Sequence, residues 1–438
     1  MKPILVRGTR VIDPASGRDE VADLLLEAGV VKAKGRGLGV PDGAEVLDAK
    51  GLVAAPGLVD LHVHLREPGR EDVETIATGA RAAVAGGFTS VCAMPNTDPV
   101  TDNQAAVGFI VRQAGLAGFA RVYPIGAVSV GQKGEQLAEF GEMVGAGAVA
   151  VSDDGQPVAT AHLMRTALEY ALTFGIPVID HCEDTSLSQG GAMHEGLTST
   201  RLGLKGIPRS AEDVVVARDI ALAQLTGGHV HIAHVSTAGA VRMIREAKAR
   251  GVRVTGEVSP HHFTLTDAAC EGYETNAKMK PPLREPADVA AVREALADGT
   301  LDCIATDHAP HHYDAKEAEF DNAPFGVVGL ETALGLALTE LVAGGVLTLP
   351  QLVDRMSTRP AALANLPGGT LRAGAPADVV VFDPVAEWVV DPEYFFSKSR
   401  NTPFAGRTLR GVVRWTIVGG RVVHAAGDLP EHPDRSAR

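Results

Sequence analysis

The chain has 438 residues, room for a large barrel with a second, smaller domain. Its formal net charge of −14 speaks against a nucleic-acid partner, which needs a basic face, but not against a small anionic substrate. No run of 18 apolar residues offers a membrane span, and no apolar leader follows Met1, so a cytoplasmic location is expected. Cys92, Cys182, Cys270 and Cys303 have no paired spacing and read as small buried hydrophobes.

Residues 2–55 read as short strands, ILVRG, VADLLLEAG and AEVLDAKGL, punctuated by Asp13-Pro14 and Pro41-Asp42-Gly43. From residue 57 the texture changes. Eight apolar strand candidates follow, at 57–64, 88–95, 120–128, 148–154, 177–183, 229–236, 252–260 and 301–310. Helical stretches lie between them, for example 71–85, 135–144, 158–174, 210–225 and 238–249, and another follows near 329–343. Eight strand–helix units describe an α/β fold of the (β/α)8 TIM-barrel type. The alternative, a doubly wound open sheet, would more often carry a Gly-rich phosphate loop after its first strand, and none is present. The Val-rich strand texture returns in ADVVVFDP, VVRWTIVGG and RVVHAAG. A small β-sandwich domain built from 1–56 and 362–438 is therefore expected beside a barrel of 57–361. Two connections are long, 184–208 and 311–328, and long loops at this face of a barrel usually carry function.

His62, His64, Asp154, His181, His234 and Asp307 fall at or near the ends of these strand candidates, the catalytic face of a barrel. His62 and His64 share one side of an extended strand, so both imidazoles can reach one metal ion; alone, such a pair is equally a hydrogen-bonded structural feature. His181 and His234 end the fifth and sixth candidates and point to a second metal, which would need a bridging anion. Asp153 and Asp154 end the fourth, and only one of an adjacent pair can turn inward, the other being a turn residue before Gly155. Asp307 can serve as ligand and proton shuttle, or cap a loop. His229 and His231 start the sixth strand, away from the catalytic face, and read as structural. His261 and His262 read as structural or as supports of the ligands.

The stretch DLHVHLREPG (60–69) resembles the signature of the dihydroorotase family, within the amidohydrolase superfamily. Further matches follow in order: AMPNT (93–97), DDG (153–155), HCED (181–184), HEG (194–196), AHVST (233–237), EVSPHH (257–262), PPLR (281–284), ATDHAPH (305–311) and PFGVVGLET (324–332). The resemblance spans essentially the whole chain and is greatest to the bacterial long-chain type. It implies reversible interconversion of N-carbamoyl-L-aspartate and L-dihydroorotate in pyrimidine biosynthesis, at two zinc ions per chain. His62 and His64 with Asp307 would hold the first zinc, His181 and His234 the second, and Asp154 and a hydroxide would bridge them. Asp307 would be the catalytic acid and base. Arg66, Asn96 and His311 would hold the substrate carboxylate, with His64 beside the substrate. Phe325 and Gly326 would meet the ring through their backbone.

Two features depart from relatives. The fourth strand, GAVAVSDDG, lacks the lysine that many cousins carboxylate to bridge their metals, which counts against a hydantoinase. Lys280 stands where this subtype usually has an Asn; it either adds a charge contact to the substrate or points to solvent. The polar segment 312–322 is expected to be a lid, or else a plain solvated loop. The rival readings are allantoinase or dihydropyrimidinase, and an inactive subunit of aspartate transcarbamoylase. Such subunits tend to lose metal ligands, and here all six are present. Association of an active enzyme with the transcarbamoylase stays open, and a homo-oligomer is expected.

Overall fold

The computed structural model describes residues 2–427. Eight parallel strands pair in chain order: β1 (Leu58–Val63), β2 (Phe88–Ala93), β3 (Arg121–Gly126), β4 (Ala150–Ser152), β5 (Val178–Asp180), β6 (Val230–Ile232), β7 (Val254–Val258) and β8 (Cys303–Ile304). A bridge between Val63 and His308, with the His64 N–H donating to the His308 carbonyl at 2.8 Å, joins the two ends and closes the barrel. These are the eight expected strands, each shorter than its apolar run. Val59, Leu61, Cys92, Ile125, Ala150, Ile179, Ala233 and Cys303 fill the interior, which Ala361, Ala364 and Leu366 plug. Both faces of these strands are covered, so their sequences are continuous hydrophobic runs.

The helices pack an apolar stripe onto the outside of the barrel. Helix Ala161–Leu172 buries Leu163, Met164, Ala167, Leu168 and Ala171, and the Thr160 side chain caps its first turn by accepting from the Leu163 N–H. The helix expected at 71–85 begins at Ile76, because a capping box between Thr75 and Thr78 fixes its start. The helix expected at 329–343 is Ala333–Ala337 and runs on through a π-helical turn, Leu338–Val342.

Strands from both termini form one curled sheet. In order across it lie Arg421–Ala425, Thr408–Val418, Val379–Val389, Val53–Pro56, Ile4–Asp13, Arg18–Glu27 and Val30–Gly35, with Glu45–Asp48 also on Ile4–Asp13. The edge strand bends back to meet the lead-in to Val379, where Val30 bridges Pro376. The curl encloses Ile4, Val6, Leu24, Leu26, Val379, Val381 and Ile417. Arg121 of β3 clamps Asp378 with two hydrogen bonds, at 2.8 and 3.2 Å, and so ties sheet to barrel. Residues 396–401 return to the barrel, where Asn401 donates to the carbonyls of Ala309 and Gly326. All four cysteines are buried and free. Among the described residues no helix is long and apolar enough to cross a membrane.

Candidate active site

β1 carries His62 and leads directly into His64. The pairing with β2 slips between Asp60 and Val63, and this irregularity helps both imidazoles enter the same space. Asp60 lies beneath them and accepts from the backbone N–H of His62 and of Thr306, which locks the first strand to the last. Asp154, His181, His234 and Asp307 stand just past the ends of β4, β5, β6 and β8. His234 and Asp307 have positive φ, +31° and +49°, and so does Arg66 at +60°. Such conformations cost energy in non-glycine residues and collect at functional sites.

The six side chains converge. Asp154 Oδ2 lies 3.3 Å from His62 Nε2 and 3.4 Å from His64 Nε2. Its other oxygen lies 3.6 Å from both His181 Nδ1 and His234 Nε2. Asp307 Oδ1 is 3.1 Å from His64 Nε2 and 3.6 Å from His62 Nε2. One carboxylate thus faces two histidine pairs, one with each oxygen. Asp153 turns the other way and accepts from the Ser129 hydroxyl and N–H. Gly155 follows at φ +87°, and a Cβ there would press on Asn96 Nδ2 at 3.1 Å.

The hydrogen-bond partners fix which ring nitrogen faces inward. His62 Nδ1–H donates to Glu257 Oε1 at 2.7 Å, and Glu257 Oε2 takes a further hydrogen bond from His231 Nε2–H at 3.2 Å. His64 Nδ1–H donates to Asn96 Oδ1 at 2.8 Å. His181 Nε2–H donates to Glu183 Oε2 at 3.2 Å. That leaves His62 Nε2, His64 Nε2 and His181 Nδ1 aimed at the centre. His62 Nε2 and Asp154 Oδ1 are buried without a hydrogen-bond partner. His181 Nδ1 and His234 Nε2 lie 2.9 Å apart and need a proton or a cation between them.

Electrostatics say the same. Burial alone would lower the His62 pKa, but Asp154 and Glu257 overcome it and hold it well above the ordinary value. Burial likewise opposes the charge on His181, yet Asp154 and Glu183 raise it to about 9. Asp154 and Asp307 are buried, which would raise them, but the surrounding histidines hold both below the usual carboxylate range. The cluster is short of positive charge and can bind metal. His62, His64 and Asp307 could hold one cation, as could His62, Asp154 and His234.

Arg66 Nε–H donates to the Pro310 carbonyl at 3.2 Å. Its guanidinium lies near Asp307, which opposes the lowering of its pKa by burial to about 10. His311 Nε2–H donates to the Phe325 carbonyl at 2.7 Å, and burial, with Arg66 nearby, lowers its pKa to about 3. Gly326 sits at φ +140°, where a Cβ would collide with His311 Nε2 at 2.8 Å. The Gly326 N–H donates to the Lys278 carbonyl. The Phe325 carbonyl and the Gly326 N–H are therefore already used within the protein. Lys280 neither reaches into open solvent nor stands alone: its Nζ lies 2.8 Å from Glu183 Oε2. In the 312–322 segment, Lys316 is buried and donates to the carbonyls of Thr275, Lys278 and Pro324, while Tyr313 is exposed.

The sequence reading missed Glu257, Glu183 and Glu74. A carboxylate inside an apolar run, as in VRVTGEVSP, was the available signal for Glu257. Glu183, two residues past His181, repeats the alternation of His62 and His64. Glu74 gave no signal; it is fully buried and bonded to His308, Ser397 and Thr78.

A family model described as Dihydro-orotase-like matches residues 51–240, and an Amidohydrolase family model matches residues 211–424. A dihydroorotase of Pelotomaculum thermopropionicum is 61% identical over 96% of this chain and 98% of its own length. The chain belongs to the dihydroorotase family. Another dihydroorotase, of Geotalea daltonii, is 57% identical over 96% of the chain and 99% of its own length. Among solved structures, an L-hydantoinase (dihydropyrimidinase) from Arthrobacter aurescens superimposes with a TM-score of 0.89 over 98% of this chain and 97% of that one, at 25% identity. This chain thus has the overall fold of that hydantoinase, while its sequence is far nearer to the dihydroorotases.

Proposed function

We propose that the protein is a dihydroorotase that closes N-carbamoyl-L-aspartate to L-dihydroorotate and reopens the ring, using two zinc ions. The observation that carries this is Asp154, which presents one oxygen to His62 and His64 and the other to His181 and His234, with Asp307 beside the first pair. The donor set of four imidazoles and two carboxylates suits zinc. Bound there, zinc would polarise the amide carbonyl and bring the pKa of water toward neutrality.

The protein's own groups do the rest. In ring opening, Asp307 takes the proton of the attacking water and delivers it to the departing ring nitrogen. In ring closure, it takes the proton of the carbamoyl nitrogen as that nitrogen attacks the carboxyl carbon, and returns it to the leaving oxygen. Arg66 grips the substrate carboxylate through its outer nitrogens, since its Nε–H is committed to Pro310. Asn96 and His311 complete the carboxylate site, and His64, which would hold metal, also borders the substrate. Phe325 and Gly326 shape the wall facing the ring. Holding the carboxylate fixes the reacting carbon against Asp307 and lowers the entropic part of the barrier. The segment 312–322, anchored at Lys316, would close over the occupied site. A homo-oligomer, and association with aspartate transcarbamoylase, belong to the same reading and are checked by sedimentation with and without that partner.

The test is an ultraviolet assay of L-dihydroorotate opening beside allantoin and dihydrouracil, with metal counted per chain. Turnover of dihydroorotate and two zinc ions are expected. Preference for an uncharged ring would move the chain to a neighbouring cyclic amidase.

A further inference from the structure

Glu183 Oε2 serves two donors at once. It accepts from His181 Nε2–H at 3.2 Å and pairs with Lys280 Nζ at 2.8 Å. Its other oxygen is buried with no hydrogen-bond partner. Among the described residues nothing else therefore holds this carboxylate on His181. Lys280 comes from the 278–284 segment, which lies against the residues just past β5, and its ammonium also lies 5.6 Å from the centre of the Phe325 ring. The neighbouring Lys278 lies 4.6 Å from the same ring but is committed elsewhere, to the carbonyls of Phe320 and Asp321. Only Lys280 reaches the carboxylate behind a metal-facing histidine.

We infer that Lys280 is a positioning residue: by pairing with Glu183 it fixes the carboxylate that orients His181, and so acts on the second metal position rather than on the substrate. This rests on the two-metal reading of the site. A carboxylate that donates no geometry of its own orients a histidine only while something orients the carboxylate, and a cation at 2.8 Å does that. Its charge is also paired before any substrate arrives, which makes Lys280 a poor competitor for a substrate carboxylate already met by Arg66.

The test strips the purified protein with a chelator and titrates zinc back into the wild type, Lys280→Met, Lys280→Arg, Glu183→Gln and His181→Ala. His181→Ala should abolish the second binding event. Glu183→Gln and Lys280→Met should each weaken that event about tenfold to a hundredfold and leave the first unchanged. The double variant should be no weaker than Glu183→Gln alone, and Lys280→Arg should recover most of the loss. With zinc saturating, KM for dihydroorotate should stay within about twofold in Lys280→Met. A raised KM with an unchanged zinc titration would overturn the inference and make Lys280 a substrate contact. If His181→Ala leaves the titration unaltered, the two-metal reading itself fails.

Discussion

Behind His62 stands Glu257, wholly buried, its second oxygen bonded to His231 inside the barrel; behind His181 stands Glu183, near the barrel mouth, its partner the partly exposed Lys280. The contrast extends outward. Asp307, which serves the first histidine pair, is followed by His308, and His308 Nε2 meets the buried Glu74 at 3.3 Å while its backbone closes the barrel on Val63 and His64. In the second pair, His181 is backed instead by groups from loops, Glu183 and the 278–284 segment, while the His234 N–H donates to Glu257 Oε1 at 3.3 Å. One half of the cluster is thus set by the strand framework, and cannot move without opening the barrel. In the other half, the orientation of His181 is set by loop side chains, and can be adjusted at small cost to the fold. The strand-held half carries Asp307, the residue proposed for proton transfer, a role that tolerates misplacement least.

The largest effect should come from the strand-held half. Asp307→Asn keeps the shape but removes the base, and should cut dihydroorotate turnover by about 10²- to 10⁴-fold. Residual activity within about tenfold of wild type would remove Asp307 from proton transfer. Glu257→Gln tests whether this half belongs to the fold as well as to the chemistry. It leaves buried His62 and His231 without their charged partner, so urea unfolding of the metal-free protein should show a loss of about 2–3 kcal/mol. Glu183→Gln should cost less in the same measurement, about 1 kcal/mol, because only one imidazole, that of His181, loses its charged acceptor and the other partner, Lys280, is partly exposed. Equal losses would erase the distinction between the halves.

The sequence made the strand framework visible and hid what stands behind it. Each of the eight strands is an apolar run because both its faces are covered, and all six convergent side chains sit within three residues of a strand end. Strand ends were overread: hydrogen bonding in β4 stops at Ser152 and in β8 at Ile304, so Asp154 and Asp307 are loop residues aimed by the backbone, not by strand alternation. His231 read as structural and away from the catalytic face. It does lie below it, yet reaches His62 through Glu257, a contact across strands that no single-strand pattern encodes. Lys280 and Glu183 meet only because two distant loops close on each other. The stretch SKSRN (397–401) has no hydrophobic period at all, and its return to the barrel depends on backbone and hydroxyl contacts that side-chain periodicity cannot report.

Arg66 and Lys280 sharpen the comparison from the substrate side. Both are cations at the mouth, but only Arg66 is proposed to touch the substrate. Arg66→Met should therefore raise KM by roughly 30-fold, the loss of about 2 kcal/mol of charged hydrogen bonding, with zinc affinity unchanged. Lys280→Met should show the reverse pattern. If both variants raise KM alike, the two cations share one role.

The last effect concerns the support behind Asp307, and it depends on pH. Glu74 is completely buried, which alone would raise its pKa. Hydrogen bonds and charge from His308, with the hydroxyls of Ser397 and Thr78, overcome this and hold it below the usual glutamate value. A carboxylate whose pKa is depressed on folding adds stability that is fully present above its unfolded pKa, near 4.5, and is lost as pH falls through the folded value. Glu74→Gln should therefore cost about 1–2 kcal/mol at pH 7, where the wild type has the full benefit. The gap between wild type and variant should begin to narrow below about pH 4.5, where the unfolded chain's carboxyl takes up its proton, and should close as pH falls through the lower folded value. Urea midpoints of the metal-free proteins at pH 7, 5 and 4 read this directly. A gap that stays constant with pH would mean that Glu74 holds the 397–399 segment and His308 by shape alone, and that charge is not what fixes the strand-held half.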